Sequence, residues 1–371
     1  MQRVHSIDYL RGFLALSVMI YHYISWSVGV PDSSTVLGRL GIYAVSTFYI
    51  ISGISLYLVY TGTSWSTSNT VRFAIKRVCR IAPLYWVATI ATIAFFILKP
   101  GPFLPNWLKY FSNLTLTFGF FSPSSYVPSG GWSIGNEMVF YAIFPILTLM
   151  ASRTWSLIIG LLAFTGVYLH FAFNILTPEH SLAEQWRLYI NPFNQAFLFF
   201  IGIIIGFASK NHPAKGGALP YLALVSSLFA FALWPANGNQ INIVTGYNRL
   251  AFTAICATAC WSILNAKIAY TGIATKILKY FGDISYSIYL LHGAIHLYTI
   301  AYIYPLVCTQ PSPEAKLYSL LFISTPVTLT TSYLVYRYIE QPFIRFGKNL
   351  TNTMAESPPE PQDVFPPPYK G

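Results

Sequence analysis

Arg11 and His22 stand eleven positions apart in a stretch that is otherwise almost wholly apolar. On a helix that separation is roughly 16 Å along the axis. Eleven steps of about 100° return both side chains to nearly one face. One face would then hold a permanent cation at one level and a titratable imidazole at another. A guanidinium suits phosphate. An imidazole titrates near neutrality and suits general base work. An ionisable residue inside a membrane span is costly and is a functional candidate by default. The plainer alternative is an arginine snorkelling to headgroups and a histidine satisfied by a neighbouring helix.

Three further segments carry chemistry. VRFAIKRVCRIAPLYW brings Lys76, Arg77 and Arg80 close on one short helix, and Pro83 is placed at the opening of the span that follows. These cations read as a phosphate clamp or as an ordinary membrane anchor. GGWSIGNEMVFYAIFP carries Glu137 one or two turns into an apolar span. A carboxylate there needs a partner or a proton, and Gly130 and Gly131 allow a tight backbone entry. Ser133, in the same segment, is a rival nucleophile. FGDISYSIYLLHGAIH places His292 eleven residues beyond Phe281, at a depth similar to that of His22. Asp283 lies near the inner end, with the hydroxyls of Tyr286 and Tyr289 between the two levels. RYIEQPFIR ends the last span with Arg337 and Glu340, read as an ion pair closing the bundle. His5, His170, His180, His212 and His296 fall near ends or loops and read as structural. Cys256 and Cys260 share one helix face with no His or carboxylate at ligand spacing, so neither a metal site nor a disulfide framework is expected.

The elements that must position these residues follow from composition. Hydrophobic residues make up 54% of the chain and charged residues 9%, and the mean hydropathy is +0.52. A soluble domain carries about 25% charged residues. With so few charges a soluble fold could not cover its surface, whereas lipid can be that surface. Apolar stretches near the ~20 residues needed to cross a bilayer fall at 8–28, 40–60, 83–99, 132–151, 155–176, 192–209, 218–235, 247–266, 281–303 and 317–338. The expectation is an all-α polytopic bundle of about ten transmembrane helices, with a re-entrant or interfacial segment over 100–131. The first span reads as retained rather than as a cleaved leader, because it is too long and no small-residue cleavage site follows.

The net charge of +11 sits in short gaps between apolar runs. That pattern orients a membrane protein and argues against nucleic acid. With the N-terminus cytoplasmic, Lys and Arg divide 16 inside against 6 outside, and an even span count returns the C-terminus to the cytoplasm. Residues 1–348 read as the membrane domain, and 349–371 as a disordered Pro-rich tail. The PPPY within that tail is a weak docking motif.

The ordered set of Arg11 with His22, KRVCRIAPLYW, WSIGNEMVFY, GDISYSIYLLH and the closing EQPF resembles the acyltransferase-3 family, over residues 5–346. Lys76 stands where many relatives have arginine. The resemblance implies ten helices. It also implies transfer of an acyl group, commonly acetyl from acetyl-CoA, to a hydroxyl of a sugar, glycan or glycolipid in a bacterial inner (plasma) membrane. Some relatives carry a further hydrolase-like domain, which this sequence is read as lacking.

The expected mechanism has Lys76, Arg77, Arg80 and Arg11 hold the donor's phosphates. The pantetheine arm is roughly as long as the Arg11–His22 separation. His22 is the expected base, with Glu137 orienting it or meeting the acceptor. His292 or a tyrosine hydroxyl such as Tyr289 would stabilise the oxyanion. A transporter or flippase of a lipid-linked sugar is the competing class. The acceptor and the oligomeric state are not readable from the residues.

Overall fold

A computed structural model of the chain describes residues 5–99, 105–212, 217–266 and 272–356. Among these residues every regular element is a helix. The helices that matter here are α1 (His5–Ser25), α2 (Val36–Tyr60), α3 (Thr67–Leu98), α4 (Trp107–Leu114), α5 (Gly131–Met150), α6 (Thr154–His170), α7 (Pro192–Asn211), α8 (Leu219–Leu233), α9 (Gly246–Asn265), α10 (Ile273–Tyr298), α11 (Thr325–Val335) and α12 (Gln341–Glu356). All ten apolar stretches expected from sequence fall on helices. Six helical runs are long and apolar enough to cross a membrane, and α8 is a shorter apolar helix.

Local chemistry explains several boundaries. Thr35 and Ser66 cap α2 and α3, their hydroxyls accepting the backbone N–H groups of Gly38 and Asn69. The α3 cap corrects one expectation. Pro83 lies inside α3 rather than opening it, because the helix already begins at Thr67. A proline there removes one rung of the backbone ladder. The missing rung lies between the basic half of α3 and its apolar half. The 100–131 segment contains α4 and the short helix Phe118–Phe121, neither long enough to span. Trp107, Leu108, Phe111 and Phe121 are exposed on them. Helix α12 runs to Glu356, past the boundary expected at 348. The PPPY motif lies outside the described residues.

Two helix pairs dominate the packing, α1 with α10 and α2 with α7. The first pair sets the register of the site. Gly12 and Gly282 let the two backbones touch. A Cβ on Gly12 would stand 2.7 Å from the nitrogen of Gly282, and one on Gly282 would stand 2.4 Å from the carbonyl oxygen of Asp8. His22 lies ten residues beyond Gly12, and His292 ten residues beyond Gly282. The second pair of residues also meets, so α1 and α10 run in the same direction. Equal rises of 1.5 Å per residue therefore deliver both imidazoles to one height.

Arg39 illustrates how a buried cation is accommodated without a carboxylate. Its guanidinium donates to the carbonyls of Ser33, Phe231, Ala232, Trp234 and Ala236. Three of these acceptors, Phe231, Ala232 and Trp234, belong to the C-terminal end of α8, where unsatisfied carbonyls favour a positive charge.

Candidate active site

The site has two levels along α1. At the first, Nδ1 of His22 and Nε2 of His292 are 2.9 Å apart. Their ring planes are nearly parallel, 11° apart with centroids 5.0 Å apart. Nδ1 of His292 is 3.0 Å from the carbonyl oxygen of Ile288, one turn earlier on α10. Trp26 lies nearly parallel to both rings, 4.8 Å from His22 and 5.8 Å from His292. It also meets His296 at 4.3 Å. His292 is fully buried, whereas His22 keeps accessible surface although it lies deep in the bundle. Among the described residues Nε2 of His22 has no hydrogen-bond partner.

Tyr289 joins this level from α10. Its ring is 6.3 Å from that of His292, and its hydroxyl is 2.9 Å from Oγ of Ser133. Both hydroxyls reach the carbonyl oxygen of Gly130, at 3.1 and 3.0 Å. Gly130 has φ +77 at the entry to α5, and a Cβ there would strike the Tyr289 ring. The tight entry expected from the glycine pair thus brings Ser133 against Tyr289. Ser133 hydrogen-bonds neither imidazole in the described contacts.

The second level is charged. Glu137 accepts a hydrogen bond from the hydroxyl of Tyr141 at 2.7 Å, across one turn of α5. The charges of Arg11, Arg80 and Arg77 act on it. Arg11 lies within electrostatic range of Arg80, Asp8 and Glu137. Arg80 pairs with the sealed carboxylate of Glu340, Nη1 to Oε1 3.0 Å. Ser287 also donates to Glu340, at 3.3 Å. The expected Arg337–Glu340 pair is therefore corrected. Residues Tyr336–Glu340 form a π-helical turn, whose wider spacing leaves Arg337 exposed and Glu340 inside. Arg77 lies over the rings of Tyr60 and Phe73, at 5.9 and 5.8 Å. Lys76 is crowded by Arg77, Arg72 and Lys348. Asp283 is held by Lys279, Nζ to Oδ2 2.6 Å.

The structure thus brings His22 and His292 together, and places Arg11 and Glu137 in one electrostatic cluster with Arg80. It does not bring Glu137 to His22 as the orienting group, because the Nδ1 position of His22 is taken by His292. Of the four expected phosphate ligands, Arg80 already has a carboxylate, while Lys76 and Arg77 share an excess of positive charge. Two contributors were not anticipated. Trp26 lies four residues after His22 and Tyr141 four after Glu137, the spacing at which helical side chains meet, and that spacing is the signal that marks them. Among the described residues no group of three or more His, Cys, Asp or Glu is arranged to hold a metal ion.

Comparison with known proteins identifies the family of the chain. The family model described as an acyltransferase domain, acyltransferase 3, matches residues 4–337. A Staphylococcus aureus (strain COL) protein named "Putative O-acetyltransferase" is 24% identical over 387 residues, covering 95% of this chain and 59% of its own length. The exopolysaccharide production protein ExoZ of Rhizobium meliloti (strain 1021) is 26% identical over 329 residues, covering 83% of this chain and 91% of its own. An acetyltransferase-like protein of Acidianus two-tailed virus is 23% identical over 296 residues, covering 77% and 81%. The chain spans 59% of the length of the staphylococcal relative.

Proposed function

The chain belongs to the acyltransferase-3 family, and we propose that it is a membrane O-acyltransferase that moves an acetyl group from acetyl-CoA to a hydroxyl of a sugar, glycan or glycolipid. In this reading ten helices cross a bacterial inner membrane, with both termini cytoplasmic. The donor enters from the basic end. Lys76 and Arg77 hold its phosphates, helped by Arg11, and Arg80 keeps the charge of Glu340 compensated. The acceptor hydroxyl approaches the imidazole level.

His22 takes the hydroxyl proton as the oxygen attacks the thioester carbonyl carbon. The carbonyl oxygen becomes the oxyanion, for which the Tyr289 hydroxyl is the proposed donor in place of its bond to the Gly130 carbonyl. When the C–S bond breaks, the imidazolium returns the same proton to the leaving thiolate. The products are the acetyl ester and free CoA, and the enzyme ends with the protons it began with.

The observation that carries this reading is an unpartnered imidazole nitrogen on a histidine that keeps accessible surface, about three helical turns along α1 from the level of Arg11 and a cluster with a surplus of cations. The supporting comparison is with relatives named for O-acetyl transfer and exopolysaccharide production. The test is turnover of radiolabelled acetyl-CoA by purified protein in nanodiscs, supplied with cell-envelope glycans, for the wild type and His22→Ala. CoA release or label transfer that vanishes in the folded variant is the expected result. No CoA binding or turnover by either protein would move the assignment to the transporter class. A covalent acetyl-Ser133 trapped without acceptor would replace direct transfer by a two-step route through that serine.

A further inference from the structure

The hydrogen bonds around the imidazole pair settle which nitrogen of each ring bears a proton. A backbone carbonyl can only accept. Nδ1 of His292, 3.0 Å from the oxygen of Ile288, is therefore the protonated nitrogen of that ring. A second proton on its Nε2 would put a net charge on a ring with no exposed surface. No carboxylate pairs with that ring among the described residues, and such a buried charge is expensive. Nε2 of His292 is thus a lone pair. It faces Nδ1 of His22 at 2.9 Å with the rings nearly parallel, so the shared proton belongs to His22. His22 then carries its proton on Nδ1 and presents Nε2 as its free lone pair. Which nitrogen of a histidine is protonated is set by the bond that the other one makes.

We infer that His292 is a positioning residue: it accepts from Nδ1–H of His22 and so locks that imidazole in the tautomer whose Nε2 is the base. This rests on the acyltransferase reading and deepens it. The tautomer favoured by a free histidine bears its proton on Nε2 and would offer the acceptor hydroxyl a donor instead of a base. His292 also retains its partner through the cycle. When His22 takes the hydroxyl proton on Nε2, its Nδ1–H still points at the same lone pair, and no proton need cross between the rings. Trp26, nearly parallel to both rings, keeps them so while this happens. The Ile288 carbonyl belongs to the backbone of α10, so the lock is anchored to the helix that the Gly12–Gly282 contact holds in register.

The test uses full-length protein in nanodiscs, labelled with 15N at histidine. Nitrogen spectra distinguish the two neutral tautomers, and the His22 signals are assigned by their loss in His22→Ala. In the wild type, His22 is expected to be protonated at Nδ1 and bare at Nε2. His292→Leu keeps bulk but removes the acceptor. It should convert His22 to the Nε2–H form and lower kcat by about 100-fold, the scale of losing a well-placed base or its supporting partner, with the KM for acetyl-CoA changed by less than about threefold. His292→Gln supplies an amide oxygen as acceptor and should recover most of that loss. Three results would overturn the inference: Nε2–H on His22 in the wild type, undiminished kcat in His292→Leu, or equal losses in the Leu and Gln variants. Absence of acetyl transfer by the wild type would instead overturn the acyltransferase reading. The spectrum needs no turnover and would still decide the tautomer.

Discussion

The two levels of the site solve opposite problems. At the imidazole level the hydrogen bonds join neutral groups, His22 to His292 under the cover of Trp26 and Tyr289 to Ser133 beside them. At the arginine level charges face one another: Arg80 is paired with Glu340, and Arg11 lies within electrostatic range of Arg80, Asp8 and Glu137. A surplus of cations, Lys76 and Arg77 beside Arg72 and Lys348, surrounds them. The neutral level can take up a proton and give it back. The charged level holds more cations than carboxylates, so it can attract a permanent anion. Proton handling at His22 and the charged level of Arg11 are thereby kept about three helical turns apart along α1.

The largest effect expected from disturbing this division is at the neutral level. His22→Ala should lower kcat by about 10²–10⁴-fold and leave CoA binding, measured by calorimetry, within a few-fold of wild type. A comparable loss of CoA affinity would mean that the two levels are not separable. Next comes the charge balance. Arg80→Met leaves the sealed carboxylate of Glu340 unpaired and should destabilise the protein by about 3 kcal/mol. That is the lower end of the cost of breaking a buried pair, because Arg80 is 38% exposed. The double variant Arg80→Met with Glu340→Met should recover most of it in thermal unfolding. If the single variant melts like wild type, the pair contributes nothing to the charged level.

The register that joins the levels can be tested at Gly282→Ala. The added Cβ meets backbone of α1 rather than a yielding side chain, so overpacking of about 1–3 kcal/mol is expected. A fall in kcat without loss of CoA affinity should accompany it, since the imidazoles lie ten residues from the pivot. Unchanged melting and turnover would show that the helices separate without cost. The smallest effect should come from Lys76→Ala. Each charge-assisted phosphate contact is modest at a hydrated site, so the KM for acetyl-CoA should rise about 3- to 10-fold with kcat preserved. The difference from wild type should shrink as salt is raised. A kcat effect instead would place Lys76 in the neutral level's chemistry.

The helical architecture and the levels of the candidate residues were legible in the sequence, because both depend on local properties. Apolar runs of membrane length, the low charge content and the placement of Lys and Arg are visible residue by residue. Even the similar depth of His22 and His292 follows from counting along each span. Lateral adjacency is another matter. His22 and His292 are separated by 270 positions in sequence, and hydropathy says nothing about which helix is whose neighbour. The same holds for Glu340. Its nearest cation in sequence, Arg337, is turned outward by the π-helical turn, and Arg80, far away in the chain, takes its place. Glu137 likewise lies with the arginines and Tyr141, although its depth in α5 was compatible with His22.

The sequence alone determined that this is a membrane bundle of helices with ionisable groups at two heights, since burial cost and helix rise are properties of each segment by itself. Only the tertiary structure decided how those groups pair. The backbone contact of Gly12 with Gly282 sets α1 and α10 in register, and that register makes two distant histidines one hydrogen-bonded unit.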